Sequence, residues 1–377
     1  MESNGKGWGL MSLVMWIQLA LIGASVAALL VLFTWWRKKS FTFHRLVLLT
    51  VFFTFDLILF GAFTRLTDSG LGCPDWPGCY GVSNPVMAIN HISAAEAAMP
   101  TGPVTLSKAW IEMLHRYFAM AVGFLCIVIV IWAWAKKDHV NLKIRILTSF
   151  ILGLICLQGA FGAWTVTLKL QPIVVTTHLM LGIAFLASLS YLSNLTAPRS
   201  NIFKAQGLIA KSGGAWIWFG LMALCIQIFL GAWVSTNYAV LACDDFPLCH
   251  GELVPPMDFQ AGFSLWRELG KSSDGQFLAI EALRAIHWAH RLGALVVLII
   301  LFLVSYKTLK EAITRGHVAL RRWAFTLFGL CLLQLMTGMS NIVLDWPIGA
   351  ALLHTGGAAV MVIVLIKLLM LRSEELV

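Results

Sequence analysis

Four histidines recur in this chain at spacings that suit metal chemistry. His115 is followed by His178 after 63 residues and His290 by His354 after 64, and the first pair precedes the second by 175 and 176 residues. Each stands near one end of a long apolar run. Two neutral imidazoles on facing helices can ligate one haem iron axially. A single histidine near a helix end is more often an interfacial residue than a ligand, but four at matched places in two repeats point to two haem-sized sites. Each pair must then stand close enough to share one metal. His44, His139 and His317 lie in basic loops and read as solvated, and His91 and His250 are loop residues without a repeat partner.

The neighbours of these histidines differ between the halves. Glu112 precedes His115 by one helical turn, so both share a face, whereas His287 takes that place before His290. A carboxylate beside a porphyrin edge can act as a base or stabilise developing positive charge. The first half is therefore the better candidate for chemistry, and the second for an electron-transfer or structural site. Arg116 and Arg291 directly follow a candidate ligand. Their forked donors suit haem propionates, although an arginine snorkelling to the headgroups would read the same way. Arg65 is a weaker candidate for that task.

The elements that must carry these residues are membrane helices. Of 377 residues, 59% are hydrophobic and only 12% charged, against about 25% charged in soluble domains. Nine apolar runs, near 10–36, 46–66, 111–135, 146–168, 174–195, 215–236, 280–306, 323–343 and 349–371, approach the roughly 20 residues that span a hydrocarbon core. In lipid such runs must be helices. The first reads as a retained span rather than a removable signal. The formal charge of +9 is concentrated in alternate loops, among them Arg37-Lys38-Lys39, Lys136-Lys137 and Arg321-Arg322, while the intervening loops hold Asp68, Asp75, Asp244, Asp245 and Glu252. That asymmetry predicts an N-terminus outside, a C-terminus in the cytoplasm, and two long outer loops at 67–110 and 237–279. The excess charge is topological, which argues against a nucleic-acid partner and leaves membrane lipid as the surrounding medium.

The repeat predicts an all-α, polytopic architecture of two pseudo-symmetric four-helix bundles. Residues 1–45 form an additional N-terminal transmembrane helix and basic loop with no counterpart in the repeat. Residues 46–195 form the first half, 196–214 a cytoplasmic linker, 215–371 the second half and 372–377 a tail. Each long loop carries two cysteines six residues apart, Cys73 with Cys79 and Cys243 with Cys249. Matched spacing on the oxidising side of a membrane reads as one disulfide per loop, with a four-cysteine metal site as the rival. Trp76 and Phe246, between the cysteines, are candidate interfacial aromatics or cofactor covers.

The segment Gly61-Ala62-Phe63-Thr64-Arg65-Leu66-Thr67-Asp68-Ser69-Gly70-Leu71-Gly72-Cys73-Pro74-Asp75-Trp76-Pro77, running into Cys79-Tyr80-Gly81, resembles the haem A synthase family. So do Glu112-x-x-His115-Arg116, Thr177-His178, Cys243 to Cys249-His250-Gly251, His290-Arg291 and His354-Thr355. The resemblance covers nearly everything after residue 45 and implies an eight-helix core. It implies that His115 and His178 bind the substrate haem O with Glu112 essential to its oxidation, and that His290 and His354 hold a haem b. The implied reaction oxidises a porphyrin methyl to a formyl group, giving haem A for haem-copper terminal oxidases in a bacterial inner membrane. It also implies disulfides Cys73–Cys79 and Cys243–Cys249. Expected partners are haem O, a haem O synthase that delivers it, an electron acceptor or donor, and further copies of the chain. The alternative is a di-haem b-type cytochrome passing electrons between quinol and an outer partner, which would use the same four ligands.

Overall fold

The computed structural model describes residues 5–38, 41–136, 138, 140–198 and 214–373. Most of the linker (199–213), residues 374–377 of the tail, Lys39, Lys137 and His139 lie outside the described residues. Among those described, eleven helices follow in order: α1 Gly5–Lys38, α2 Phe43–Leu66, α3 Ile89–Ala98, α4 Leu106–Ala135, α5 Leu142–Thr167, α6 Pro172–Thr196, α7 Ala215–Thr236, α8 Phe259–Gly262, α9 Ile280–Thr314, α10 Val318–Val343 and α11 Ile348–Ser373. Nine are long and apolar enough to cross a bilayer. The chain is an all-α, multi-pass membrane protein.

The helix starts are written locally. Thr42, Thr105 and Asn141 cap α2, α4 and α5 by accepting the N–H groups of Arg45, Lys108 and Ile144, which satisfies donors that the first turn leaves orphaned. Pro172 opens α6, where its missing N–H costs nothing. Several helices outrun their apolar stretch. α9 continues to Thr314, well past the expected 306, because Lys307, Lys310 and Glu311 are good helix formers and Arg315 pairs with Glu311 one turn back. His317 corrects an expectation. It is buried rather than solvated, and its Nδ1 accepts the N–H of Leu320 at 3.1 Å to cap α10. His91 lies in the short helix α3 and stacks on Tyr80.

By packing, the chain divides into two units, residues Met1–Leu170 and Gln171–Val377. In the first, α4 is the hub and packs against α1, α2, α3 and α5. In the second, α7 and α10 each pack against both α9 and α11, and α6 packs against α7 and α11. The repeat boundary at 196–214 therefore does not coincide with the packing boundary, because α6, fourth helix of the first repeat, packs within the second unit.

Duplication is visible in the backbone. Left-handed residues recur at matched places: Asp68 and Tyr238, Tyr80 and His250, Lys169-Leu170 and Asp345-Trp346. In each cysteine loop the left-handed pair folds two successive N–H groups onto one carboxylate, a small anion nest. Tyr80 and Gly81 donate to Asp75 at 2.7 and 2.6 Å, and His250 and Gly251 donate to Asp245 at 2.7 and 2.9 Å.

Candidate functional site

In the second unit the structure brings His290 and His354 together, with ring centres 6.5 Å apart and planes at 81°. An imidazole nitrogen sits about 2 Å from a metal it ligates and roughly 1.1 Å from its own ring centre, so two axial rings on one metal stand on the order of 6 Å apart. The observed separation fits a shared iron. The rings come from α9 and α11, and the helices that pack against both, α7 and α10, supply the walls.

Glycine makes those walls possible. A Cβ on Gly231 would lie 3.0 Å from Cε1 of His290, and one on Gly338 would lie 3.3 Å from Cε1 of His354. Each ring therefore rests directly on the backbone of a neighbouring helix. A second set of glycines admits the side chains that hold the two histidines. Gln227 reaches the carbonyl of His290 at 2.9 Å, and Gln334 reaches that of His354 at 2.9 Å. They pass where a Cβ on Gly293 or Gly357 would come within 2.4 or 2.2 Å of the glutamine amide. Nδ1 of each ring is engaged as well: that of His290 accepts from the Gln227 amide at 2.9 Å, and that of His354 meets Thr337 Oγ1 at 3.0 Å. Thr337 donates its proton to the carbonyl of Leu333 at 2.8 Å, so its oxygen accepts from His354 Nδ1–H. That fixes the tautomer and leaves Nε2 of His354 for a metal.

Sequence reasoning missed Thr337 and the four glycines. A signal was present for two of the glycines, since Gly293 follows His290 by three residues and Gly357 follows His354 by three.

In the first unit α4 carries Glu112, His115 and Arg116. Gly61 of α2 lies against His115, a Cβ there meeting Cε1 at 3.0 Å, which repeats the Gly231–His290 contact. The surroundings then diverge. Phe60 packs near His115 and edge-on to Phe118, which stands where the second half has Gly293. His178 lies near the start of α6 and so belongs to the other packing unit.

Glu112 is only 4% exposed. Oε1 takes a short hydrogen bond from Nη2 of Arg116, and Oε2 accepts the N–H of Cys73 at 2.8 Å. Arg116, a candidate partner for a haem propionate, donates from Nη1 to the carbonyls of Asp75 (2.9 Å), Pro77 (3.1 Å) and Gly78 (2.5 Å), all in the cysteine loop. Arg291 is placed in the same way. It donates to Leu248 O at 2.8 Å, Cys243 O at 2.9 Å and His287 Nε2 at 3.2 Å. The reason is common to both: tight loops expose unpaired carbonyls, and a guanidinium with five donors satisfies them. Arg65 pairs with Asp68 at 3.2 Å.

The cysteines are brought together pairwise, with S–S distances of 2.08 Å for Cys73–Cys79 and 2.01 Å for Cys243–Cys249. Both pairs are buried. Trp76 stands edge-on to Trp16 of α1, and Phe246 lies under the guanidinium of Arg291.

Nine spanning helices among the described residues, matched cysteine loops and one close imidazole pair define a polytopic helical membrane protein. Residues 44–366 match the COX15-CtaA family model, described as a cytochrome oxidase assembly protein, and the chain belongs to that family. It is 38% identical over 323 residues to a heme A synthase of Shewanella oneidensis, covering 86% of this chain and 94% of that one. Heme A synthases of Halalkalibacterium halodurans (25% over 322 residues, 85% and 93% covered) and Sinorhizobium medicae (28% over 327 residues, 82% and 84%) are also similar.

Proposed function

We propose that this protein converts haem O to haem A, oxidising a methyl substituent of the porphyrin to a formyl group for use in haem-copper terminal oxidases. The reading is supported by the family and by relatives that share more than four-fifths of the chain. The single structural observation that carries it is the His290–His354 pair, spaced for one iron. In this reading the second repeat holds a resident haem b between those two residues. When bound, that haem supplies a one-electron redox centre.

The first repeat, residues 46–195, takes the substrate between His115 and His178. Glu112 serves there as the catalytic carboxylate. Its buried charge is balanced by Arg116, and Cys73 N–H fixes one of its oxygens. Pre-orientation of this kind lets a carboxylate stabilise positive charge developing at the oxidised carbon without first reorganising. His287 takes its position in the second repeat, one turn before His290, and its Nε2 accepts from Arg291. That asymmetry supports chemistry in the first half and electron transfer in the second.

The proposal extends to a bacterial inner membrane, with the N-terminus and both cysteine loops outside and the C-terminus in the cytoplasm. It further names a haem O synthase as donor, a separate electron acceptor or donor, and self-association. Expression in cells that make haem O, followed by chromatography of extracted haems, tests the activity. Haem A should appear together with haem B. Haem B alone, with a bis-imidazole spectrum, would instead mark a di-haem b-type cytochrome.

A further inference from the structure

α1 lies outside the segment that matches the family and has no counterpart in the repeat, yet it is not an isolated anchor. Met15, Leu19, Gly23 and Ala27 recur every four residues and are buried, while Leu13, Val14, Ile17, Leu21 and Leu29 on its other faces are exposed. A stripe of that period is one helix face. It runs along α4, the helix that carries Glu112, His115 and Arg116.

The stripe ends on the first cysteine loop. Met15 and Leu19 share a core with Cys73, Cys79, Ile92, Ala109, Met113 and Tyr117. Sδ of Met15 lies where a Cβ on Gly78 would meet it at 2.6 Å, and Gly78 is the residue whose carbonyl accepts from Arg116 at 2.5 Å. Trp16 packs edge-on to Trp76 with ring centres 5.5 Å apart. Further along, a Cβ on Gly23 would come within 2.7 Å of Met120 Cβ. Small residues thus let the two helices approach closely where no hydrophobic force operates between lipid-immersed segments.

We propose that α1 is a positioning element for the first cysteine loop: a brace built into this chain that presses the loop onto α4 and so keeps Arg116 and Glu112 in register. A span that merely anchors the chain would need neither the glycine at the helix crossing nor the methionine seated on the loop.

The buried Cys73–Cys79 bond can meet a reductant only when the loop opens locally, so its reduction rate reports on the brace. In the detergent-solubilised full chain, Gly23→Leu should wedge α1 from α4. Phosphine reduction of Cys73–Cys79 should then become about tenfold faster, with Cys243–Cys249 unchanged as the internal reference. Adding Met120→Ala should restore the slow rate by making room for the leucine, and Leu21→Phe on the exposed face should change nothing. Should Gly23→Leu fail to fold, Met15→Ala with Leu19→Ala removes the same contact without a clash and should also accelerate the first bond selectively. Unchanged reduction, or equal acceleration of both bonds, overturns the proposal. A second arm rests on the proposed function: conversion of haem O should fall while the spectrum of the second-half haem persists. Failure of that arm alone counts against the functional reading and leaves the brace standing.

Discussion

The N–H of Cys73 donates to the carboxylate of Glu112 at 2.8 Å, joining a loop disulfide to a buried acid 39 residues further along the chain. The other oxygen of Glu112 faces Arg116, and Arg116 returns to the same loop through three carbonyls. Loop, acid and base form one closed network, so no member can be altered alone.

Glu112→Gln keeps the shape and an acceptor for Cys73 but removes the charge. Haem content should persist while production of haem A stalls. Chromatography of the haems extracted from the purified variant decides this, and undiminished haem A would remove Glu112 from the chemistry.

Arg116→Met should act on stability as well as activity. It leaves Glu112 buried without its counter-charge and three loop carbonyls without a donor, a change that typically costs about 3–5 kcal/mol. A lowered denaturation midpoint in detergent is expected, and one within error of the parent would show that the pair contributes little.

Gly231→Val should displace His290 from its seat, since even a Cβ there stands 3.0 Å from the ring. The expected result is loss of the second-half low-spin haem signal, with the first site retained. Gly61→Val should do the reverse through His115. Absorbance and electron paramagnetic resonance on the two variants separate the sites, and identical spectra would contradict the assignment.

Thr337→Val removes the acceptor of His354 Nδ1–H at nearly constant volume. Losing a partner that orients a ligand typically weakens metal binding about 10–100-fold. Haem retention during dilution or competition with an apo-acceptor measures this directly.

Asp245 lies outside the spans, and the N–H of Gly251, then that of His250, hold its carboxyl below the usual aspartate value. A depressed folded value means the contribution is present above the unfolded value near 3.8 and is lost as pH falls through the lower folded value. The second cysteine loop should therefore stay closed at pH 5 and open only in stronger acid, below about pH 4. Phosphine reduction of Cys243–Cys249 across pH 2 to 5 (roughly the range in which an aspartate titrates) tests it. Asp245→Asn should flatten the profile.

Much of the fold was legible without coordinates. Apolar runs of spanning length admit only helices in lipid, so the nine spans followed from hydrophobicity alone. Their ends did not, because α9 and α10 extend through polar residues that hydropathy cannot distinguish from loop. The cysteine pairs followed from spacing, and duplication singled out four histidines, of which the structure sets His290 beside His354. What the arginines touch was not legible: Arg116 and Arg291 sit beside candidate ligands in the sequence, and their guanidiniums reach one helical turn back and across to loops some 40 residues away.

The sequence by itself determined which residue types recur and at what period, and hence the helices, the duplication and the four histidines. Tertiary structure alone decided what each side chain touches: Gly231 and Gly338 beneath the rings, Thr337 on Nδ1 and Met15 on the cysteine loop. The physical reason is range. Burial and periodicity are local properties of a segment, whereas hydrogen-bond partners and close approaches depend on how helices distant in the chain are packed.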